Sequence, residues 1–152
     1  SFSLYGERVG ALTLVAGSKE EASRVLIQLK RVIRTNYSNP PTHRGTLVSS
    51  VLNTPELFAM WEKELVDMRD RIRLMRQQLA QKVKAAGAAQ DFGFIVKQRG
   101  MFSYTGLTAA QVDTLREQHG IYAVSSGRIC VAALNSGNID TVAKAIAAVA
   151  KR

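Results

Sequence analysis

The longest hydrophobic pattern in the chain follows Thr54 and Pro55, where apolar residues recur at three- and four-residue steps with no Gly or Pro until Gly87. This pattern predicts one helix over about residues 55–86, roughly 30 residues and about 45 Å long. Such a helix is longer than one compact core needs, so we expect it to link two domains, residues 1–67 and 68–152. Its apolar positions are Leu57, Trp61, Leu65, Met68, Ile72, Met75, Leu79 and Val83.

Shorter patterns flank this helix on both sides. The apolar run at 9–16 is typical of a strand buried on both faces, as in a parallel sheet. Thr108 and Gln111 form a capping box, which marks a helix start, and Gly120 is expected to end that helix. The other predicted helices cover 19–34, 44–52 and the residues after about Asn138, and the other predicted strands cover 92–96, 101–104, 122–124 and 129–134.

The chain is basic, with 21 Lys and Arg against 12 Asp and Glu and a formal net charge of +9. Taken alone, that charge would favour a nucleic-acid partner. Along residues 62–76, however, acidic and basic residues alternate, which is typical of a solvated, ion-paired helix face. We therefore predict no nucleic-acid partner, and a non-catalytic basic binding module remains an alternative for the isolated chain.

Cysteine and histidine usage narrows the chemistry further. Cys130 is the only cysteine, so an internal disulfide is excluded and a reducing compartment such as the cytoplasm is expected. His43 and His119 have no partners at metal-ligand spacing, so we predict no metal site. No apolar run approaches the roughly 20 residues of a membrane helix.

Three arginines stand beside turn-forming residues at the edges of apolar runs: Arg8, Arg34 and Arg128. Arginine donates two parallel hydrogen bonds and stays charged, so this placement predicts a site for an anionic ligand. Structural roles are the alternatives. Arg8 could form a surface ion pair with Glu7, and Arg34 could complement a helix dipole. A guanidinium at the mouth of the apolar run after Arg128 needs a carboxylate, either internal or from a ligand.

Four segments of the chain are distinctive as a set: SFSLYGERVG at 1–10, NYSNPP at 36–41, GMFSYTGL at 100–107 and SGR at 126–128. Together they resemble the aspartate and aromatic amino-acid aminotransferases, pyridoxal phosphate enzymes of fold type I. The resemblance implies an α/β fold in which residues 1–67 end the large cofactor-binding domain and residues 68–152 form a small α+β domain. It also implies that the chain is the C-terminal two-fifths of the enzyme, that the Schiff-base lysine lies immediately before Ser1, and that the isolated chain is inactive. Proteolysis, deliberate truncation and a break at a modified lysine are the alternative explanations for such a start.

The same resemblance implies a role for each candidate site residue. Arg8 would grip the phosphate of pyridoxal 5'-phosphate, and Arg128 would bind the substrate α-carboxylate. Arg34 would reach the neighbouring subunit's site in a homodimer and pair with the distal carboxylate of dicarboxylic substrates. Phe102 would border the substrate pocket, although an aromatic on a short strand is more often core. The residues expected near the subunit interface are Tyr37, Ser38 and Asn39.

The details of the segments at 2–6 and 101–106 are closer to the aromatic subgroup than to strict aspartate enzymes. We therefore expect an aminotransferase that acts on aromatic and dicarboxylic L-amino acids, with 2-oxoglutarate as acceptor. An aspartate aminotransferase is the alternative within the class.

Overall fold

The computed structural model describes residues 2, 4–7, 10–39 and 41–150. Its backbone divides into two compact units, Ser1–Leu65 and Val66–Arg152. The assignment of residues 1–67 to the end of a large domain and of residues 68–152 to a small domain stays a prediction. The helices are α1 (Lys19–Asn36), α2 (Thr42–Asn53), α3 (Pro55–Ala85), α4 (Phe94–Lys97), α5 (Ala109–His119) and α6 (Ile139–Val149), and the strands are β1 (Phe102–Tyr104) and β2 (Arg128–Cys130).

The first unit contains α1 and α2, and neither helix is well buried within the described residues. Ser18 begins α1 by accepting a hydrogen bond from the Glu21 amide, as N-cap serines do. Neither α1 nor α2 contains a buried residue. The apolar stripe of α1 is only half-buried at Val25, Leu29 and Ile33, so the described part of this unit covers it incompletely.

The strand predicted at 9–16 is wrong for the part of it that the structure describes. Residues 10–16 form no strand, and Leu12 and Val15 are 72% and 97% exposed. An apolar run becomes a buried strand only when neighbouring strands bind its backbone groups. The only ladder among the described residues joins β1 to β2 in the second unit, so this run has no partner there.

The helix α3 confirms the prediction from hydrophobic periodicity. It spans 31 residues, with Pro55 at the first helical position, where a missing N–H costs nothing. Its buried residues all lie in the second unit and include Leu79 and Val83. They pack against the core of that unit, whose other large, fully buried apolar side chains are Phe92, Ile95, Val112, Leu115, Val131, Ile139 and Ile146.

Two helices around this core begin where the sequence indicates. Thr108 caps α5 in a reciprocal capping box with Gln111, and Gly120 ends the helix in the left-handed conformation with φ 64°. The last helix, α6, has Asn138 as its N-cap residue. For α5, the capping box and the final glycine therefore indicated the bounds of the helix correctly.

A two-stranded antiparallel sheet lies against this core, and it is smaller than the sequence predicts. In its register Phe102 faces Cys130 and Tyr104 faces Arg128. The predicted strand 129–134 ends early, because the amides of Val131 and Ala132 both donate to the Met101 carbonyl and residues Val131–Ala133 form a 3₁₀ turn. The predicted strand 122–124 is absent, since its backbone bonds the β2 end only through Val124.

The strand predicted at 92–96 is also wrong, because these residues lead into the short helix α4. Asp91 accepts a hydrogen bond from the Gly93 amide, and the Phe92 carbonyl accepts one from Ile95. These turns curl the chain while still burying Phe92 and Ile95. A short apolar run is compatible with either a strand or a buried helical turn. Here the turn formed by the Asp91–Gly93 hydrogen bond favours the helical conformation.

Candidate functional site

Arg128 is presented to solvent by a tight turn in the second unit. The Gly127 amide donates to the Val124 carbonyl, and the Val124 amide donates to the Arg128 carbonyl. Gly127 has a φ of 77°, a conformation that favours glycine. Arg128 therefore begins β2 with an exposed side chain, rather than sitting buried at the mouth of the strand.

The guanidinium of Arg128 lies over the ring of Phe102, with Cζ 5.0 Å from the ring centroid. This is a cation–π contact, which orients the cation while leaving its N–H groups available. Among the residues that the structure describes, no carboxylate forms an ion pair with Arg128. Arg128 and Phe102, for each of which the resemblance implies a role in substrate binding, are thus in contact in the structure.

The buried residue Thr105, which is 0% exposed, stabilises the turn before Arg128. Both the Thr105 amide and its hydroxyl donate to the Gly127 carbonyl, at 3.0 and 2.8 Å. A Cβ built at Gly127 would lie 2.7 Å from the Leu107 carbonyl oxygen. The close approach and the positive φ both require glycine at this position.

Phe102 is exposed on β1, while its neighbour Ser103 points into the core. Arg76, on α3, is only 3% exposed and donates to the Ser103 hydroxyl at 2.7 Å. Burial, and secondarily the charge of Arg99, lower the pKa of Arg76 below its usual value. The buried environment therefore disfavours the charged form of this guanidinium.

Arg76 was not among the site residues predicted from the sequence, although its position in the long helix is a signal for it. It lies four residues after Ile72 and three before Leu79, on the apolar stripe of the long helix. A cation at such a position is buried only when polar groups surround it. Its four oxygen acceptors are those of Ile95, Gly100, Phe102 and Ser103.

Arg34 lies in the last turn of α1 in the first unit, exposed to solvent. Its Nη1 donates to the Ser38 hydroxyl at 2.7 Å. Ser38 has a φ of 67°, the one positive value for a non-glycine residue in the described part of the chain. Tyr37 is exposed, and the Asn39 amide donates to its carbonyl. The site residues after α1 therefore form one tight turn, in which Tyr37 and Asn39 are exposed and Ser38 is half-buried.

The residue assigned to the cofactor phosphate, Arg8, lies outside the described residues, so its role stays a prediction. The adjacent Glu7 forms an ion pair with Arg44 of α2, at 2.8 Å. No group of three His, Cys, Asp or Glu side chains with metal-binding geometry occurs among the residues that the structure describes. In the same ranges no helix could span a membrane.

Comparison with known proteins supplies the family. The model of the family "Aminotransferase class I and II" matches residues 1–146. An aspartate aminotransferase of Pseudomonas aeruginosa is 65% identical over 146 residues, which are 96% of this chain and 37% of the relative. The aromatic-amino-acid aminotransferase of Escherichia coli is 52% identical over 148 residues, 97% of this chain and again 37% of the relative.

A solved structure agrees with both sequence relatives. The aromatic-amino-acid aminotransferase of Burkholderia pseudomallei, described as covalently bound to pyridoxal phosphate, superposes with a TM-score of 0.85 and 70% identity over 97% of this chain and 37% of that one. The chain belongs to the class I and II aminotransferase family. The expected family and fold class, part of a fold type I pyridoxal phosphate enzyme, are confirmed.

Proposed function

We propose that the complete enzyme is a pyridoxal phosphate-dependent aminotransferase for aromatic and dicarboxylic L-amino acids, with 2-oxoglutarate as acceptor. The observation that carries the proposal is the exposed Arg128 guanidinium held over the Phe102 ring. Arg128 would bind the α-carboxylate that every amino-acid substrate shares, through two parallel N–H donors. Phe102 would border the space in which the substrate side chain lies.

The cofactor assignment rests on the family and on the Burkholderia relative, which carries pyridoxal phosphate. When bound, this group supplies the electron-withdrawing ring for the exchange of the amino group. Arg8 would bind its phosphate, and the Schiff-base lysine would come from the portion of the enzyme upstream of Ser1. The described residues contribute substrate recognition to this scheme.

Arg34 is proposed to serve a neighbouring subunit in a homodimer, where it would pair with the distal carboxylate of aspartate or 2-oxoglutarate. Its hydrogen bond to Ser38 and its exposure support this role. An arginine at the end of a helix is also stabilised by the helix dipole, so the structural and functional roles coexist. We also propose that the enzyme is cytoplasmic, because a chain with one cysteine forms no internal disulfide and is compatible with a reducing compartment.

A preference for aspartate is the second candidate, favoured by the 65% identity to the Pseudomonas aspartate aminotransferase. The aromatic preference is supported by the 70% identity to the Burkholderia enzyme. A substrate panel on the full-length protein separates the two. Activity with aspartate but none with phenylalanine or tyrosine would reject the aromatic assignment.

The role of Arg128 is tested in the full-length enzyme with Arg128→Leu and Arg128→Lys. Leucine removes the charge, so kcat/KM should fall for aspartate and phenylalanine alike. Lysine restores the charge but not the planar fork, and it should recover only part of the loss. An unchanged kcat/KM in Arg128→Leu would refute the assignment.

A further inference from the structure

We infer that Arg76 is a positioning residue for substrate binding: through strand β1 it fixes Phe102 beneath Arg128. The inference rests on the proposed function, because it assigns Arg76 to the same carboxylate site. Arg76 itself is buried behind the strand and would touch neither substrate nor cofactor.

The hydrogen bonds of Arg76 connect α3 to three segments: α4, the residues before β1, and β1 itself. Nη1 donates to the Ser103 hydroxyl at 2.7 Å and to the Ile95 carbonyl at 3.2 Å. Nη2 donates to the Gly100 carbonyl at 2.5 Å and makes a longer contact of 3.4 Å with the Phe102 carbonyl. One guanidinium thereby joins α3, α4 and both the approach to β1 and the strand itself.

The choice of arginine at this position is not explained by packing alone. Burying a cation costs free energy, and a well-packed apolar side chain is often equally stable in its place. All four acceptors of Arg76 are neutral oxygens, so no ion pair offsets that cost within the described residues. What the guanidinium provides is a fork of donors with fixed angles, which orients the backbone that it binds.

The backbone that it orients carries Phe102. Alternate side chains of a strand point to opposite faces, so fixing Ser103 inward directs Phe102 outward, under the Arg128 guanidinium. A two-stranded sheet of three-residue strands is marginal by itself. Contacts behind β1 therefore decide how sharply the Phe102 ring is held.

The test uses the full-length enzyme and the dissociation constant of 3-phenylpropionate, which is phenylalanine without its amino group. Arg76→Lys keeps the charge and loses the fork, and it should weaken binding about three- to tenfold. The matched control is Arg73→Lys on the same helix, where the arginine is exposed and makes only a 3.4 Å contact with Asp70. This control should bind like the parent enzyme.

A double-mutant cycle shows whether the effect passes through Phe102. If it does, Arg76→Lys should change the affinity little once Phe102→Leu is present, because the ring to be positioned is gone. An equal loss in both backgrounds would overturn the inference. So would parent-like affinity of a folded Arg76→Lys enzyme.

Two further variants keep the outcome decisive. Should Arg76→Lys fail to fold, Ser103→Ala removes one acceptor and should weaken 3-phenylpropionate about two- to threefold; unchanged affinity there would also overturn the inference. Arg128→Leu reports on the proposed function separately. If it leaves the affinity unchanged, the carboxylate site itself is misassigned, whatever Arg76 does.

Discussion

Arg128 and Phe102 meet across the β1–β2 ladder with the guanidinium carbon 5.0 Å from the ring centroid. They are diagonal neighbours, because Arg128 directly faces Tyr104 and Phe102 faces Cys130. Diagonal positions on one face of a sheet are within reach of long and aromatic side chains. The ladder register therefore makes a cation and an aromatic ring, 26 residues apart in sequence, into one exposed surface.

Replacing Phe102 by leucine should weaken carboxylate binding in the full-length enzyme. An exposed cation–π contact contributes about 0.5–1 kcal/mol, so the dissociation constant of 3-phenylpropionate should rise about two- to fivefold. Phe102→Tyr retains the ring and is the matched control. A tyrosine variant as weak as the leucine variant would show that ring contact with Arg128 is not the cause.

Gly127→Ala should destabilise the full-length enzyme and disturb the turn before Arg128. The added Cβ meets the Leu107 carbonyl oxygen at 2.7 Å, in addition to the positive φ. Gly120→Ala is the control, since Gly120 also has a positive φ but nothing lies within 4 Å of its added Cβ. The control should lose about 1–2 kcal/mol of unfolding free energy, and Gly127→Ala at least about 1 kcal/mol more. Urea titration would measure both, and equal losses would contradict the steric argument.

The carboxyl of Asp70 on α3 is expected to titrate below its ordinary range. A hydrogen bond from Arg69 is the main cause of the lowered pKa, and the charges of Arg69 and Arg73 add to it. Because the folded pKa is depressed, the associated stability is present above the ordinary aspartate pKa and is lost as pH falls through the depressed value.

Carbon-13 NMR of aspartate carboxyls in the full-length enzyme checks this shift, with Asp70→Asn identifying the resonance. Arg69→Gln should raise the pKa of Asp70 more than Arg73→Gln does, because the Arg69 contact is 3.0 Å and that of Arg73 is 3.4 Å. The reverse order would contradict the assignment of the main cause.

The sequence predicted the elements whose signals are local. The long helix α3 follows from uninterrupted periodicity, and α5 follows from the Thr108 cap and Gly120. The run at 10–16 failed because a strand depends on partners, which periodicity does not supply. The run at 92–96 failed because one aspartate turn outweighed its apolar composition.

The candidate site also contains residues that the sequence motifs indicated and one residue whose burial depends on tertiary contacts. Motif resemblance pointed to Arg128 and Phe102 separately, and the register of the ladder brings them together. Arg76 was not predicted because helix patterns are judged by their apolar residues, whereas its burial depends on carbonyl and hydroxyl oxygens 19 to 27 residues downstream. Tertiary hydrogen bonding of this kind leaves no periodic trace in a single sequence.

The Arg34–Ser38 hydrogen bond of 2.7 Å leads to the last prediction. Ser38→Gly removes the hydroxyl but suits the positive φ of 67°, so the turn should persist while Arg34 loses a partner that orients it. In the full-length enzyme the KM for aspartate should rise, about threefold for one exposed charge-assisted bond. The KM for phenylalanine should stay constant, because its ring has no distal carboxylate for Arg34 to bind.

Ser38→Thr is the companion variant, which keeps the hydroxyl but places a β-branched residue at a positive φ. If orientation of Arg34 matters, Ser38→Gly should selectively impair aspartate. If backbone strain matters instead, Ser38→Thr should be the weaker enzyme with both substrates. Equal KM changes for aspartate and phenylalanine in Ser38→Gly would contradict the proposed pairing of Arg34 with a distal carboxylate, since only a general disturbance of the site affects both substrates alike.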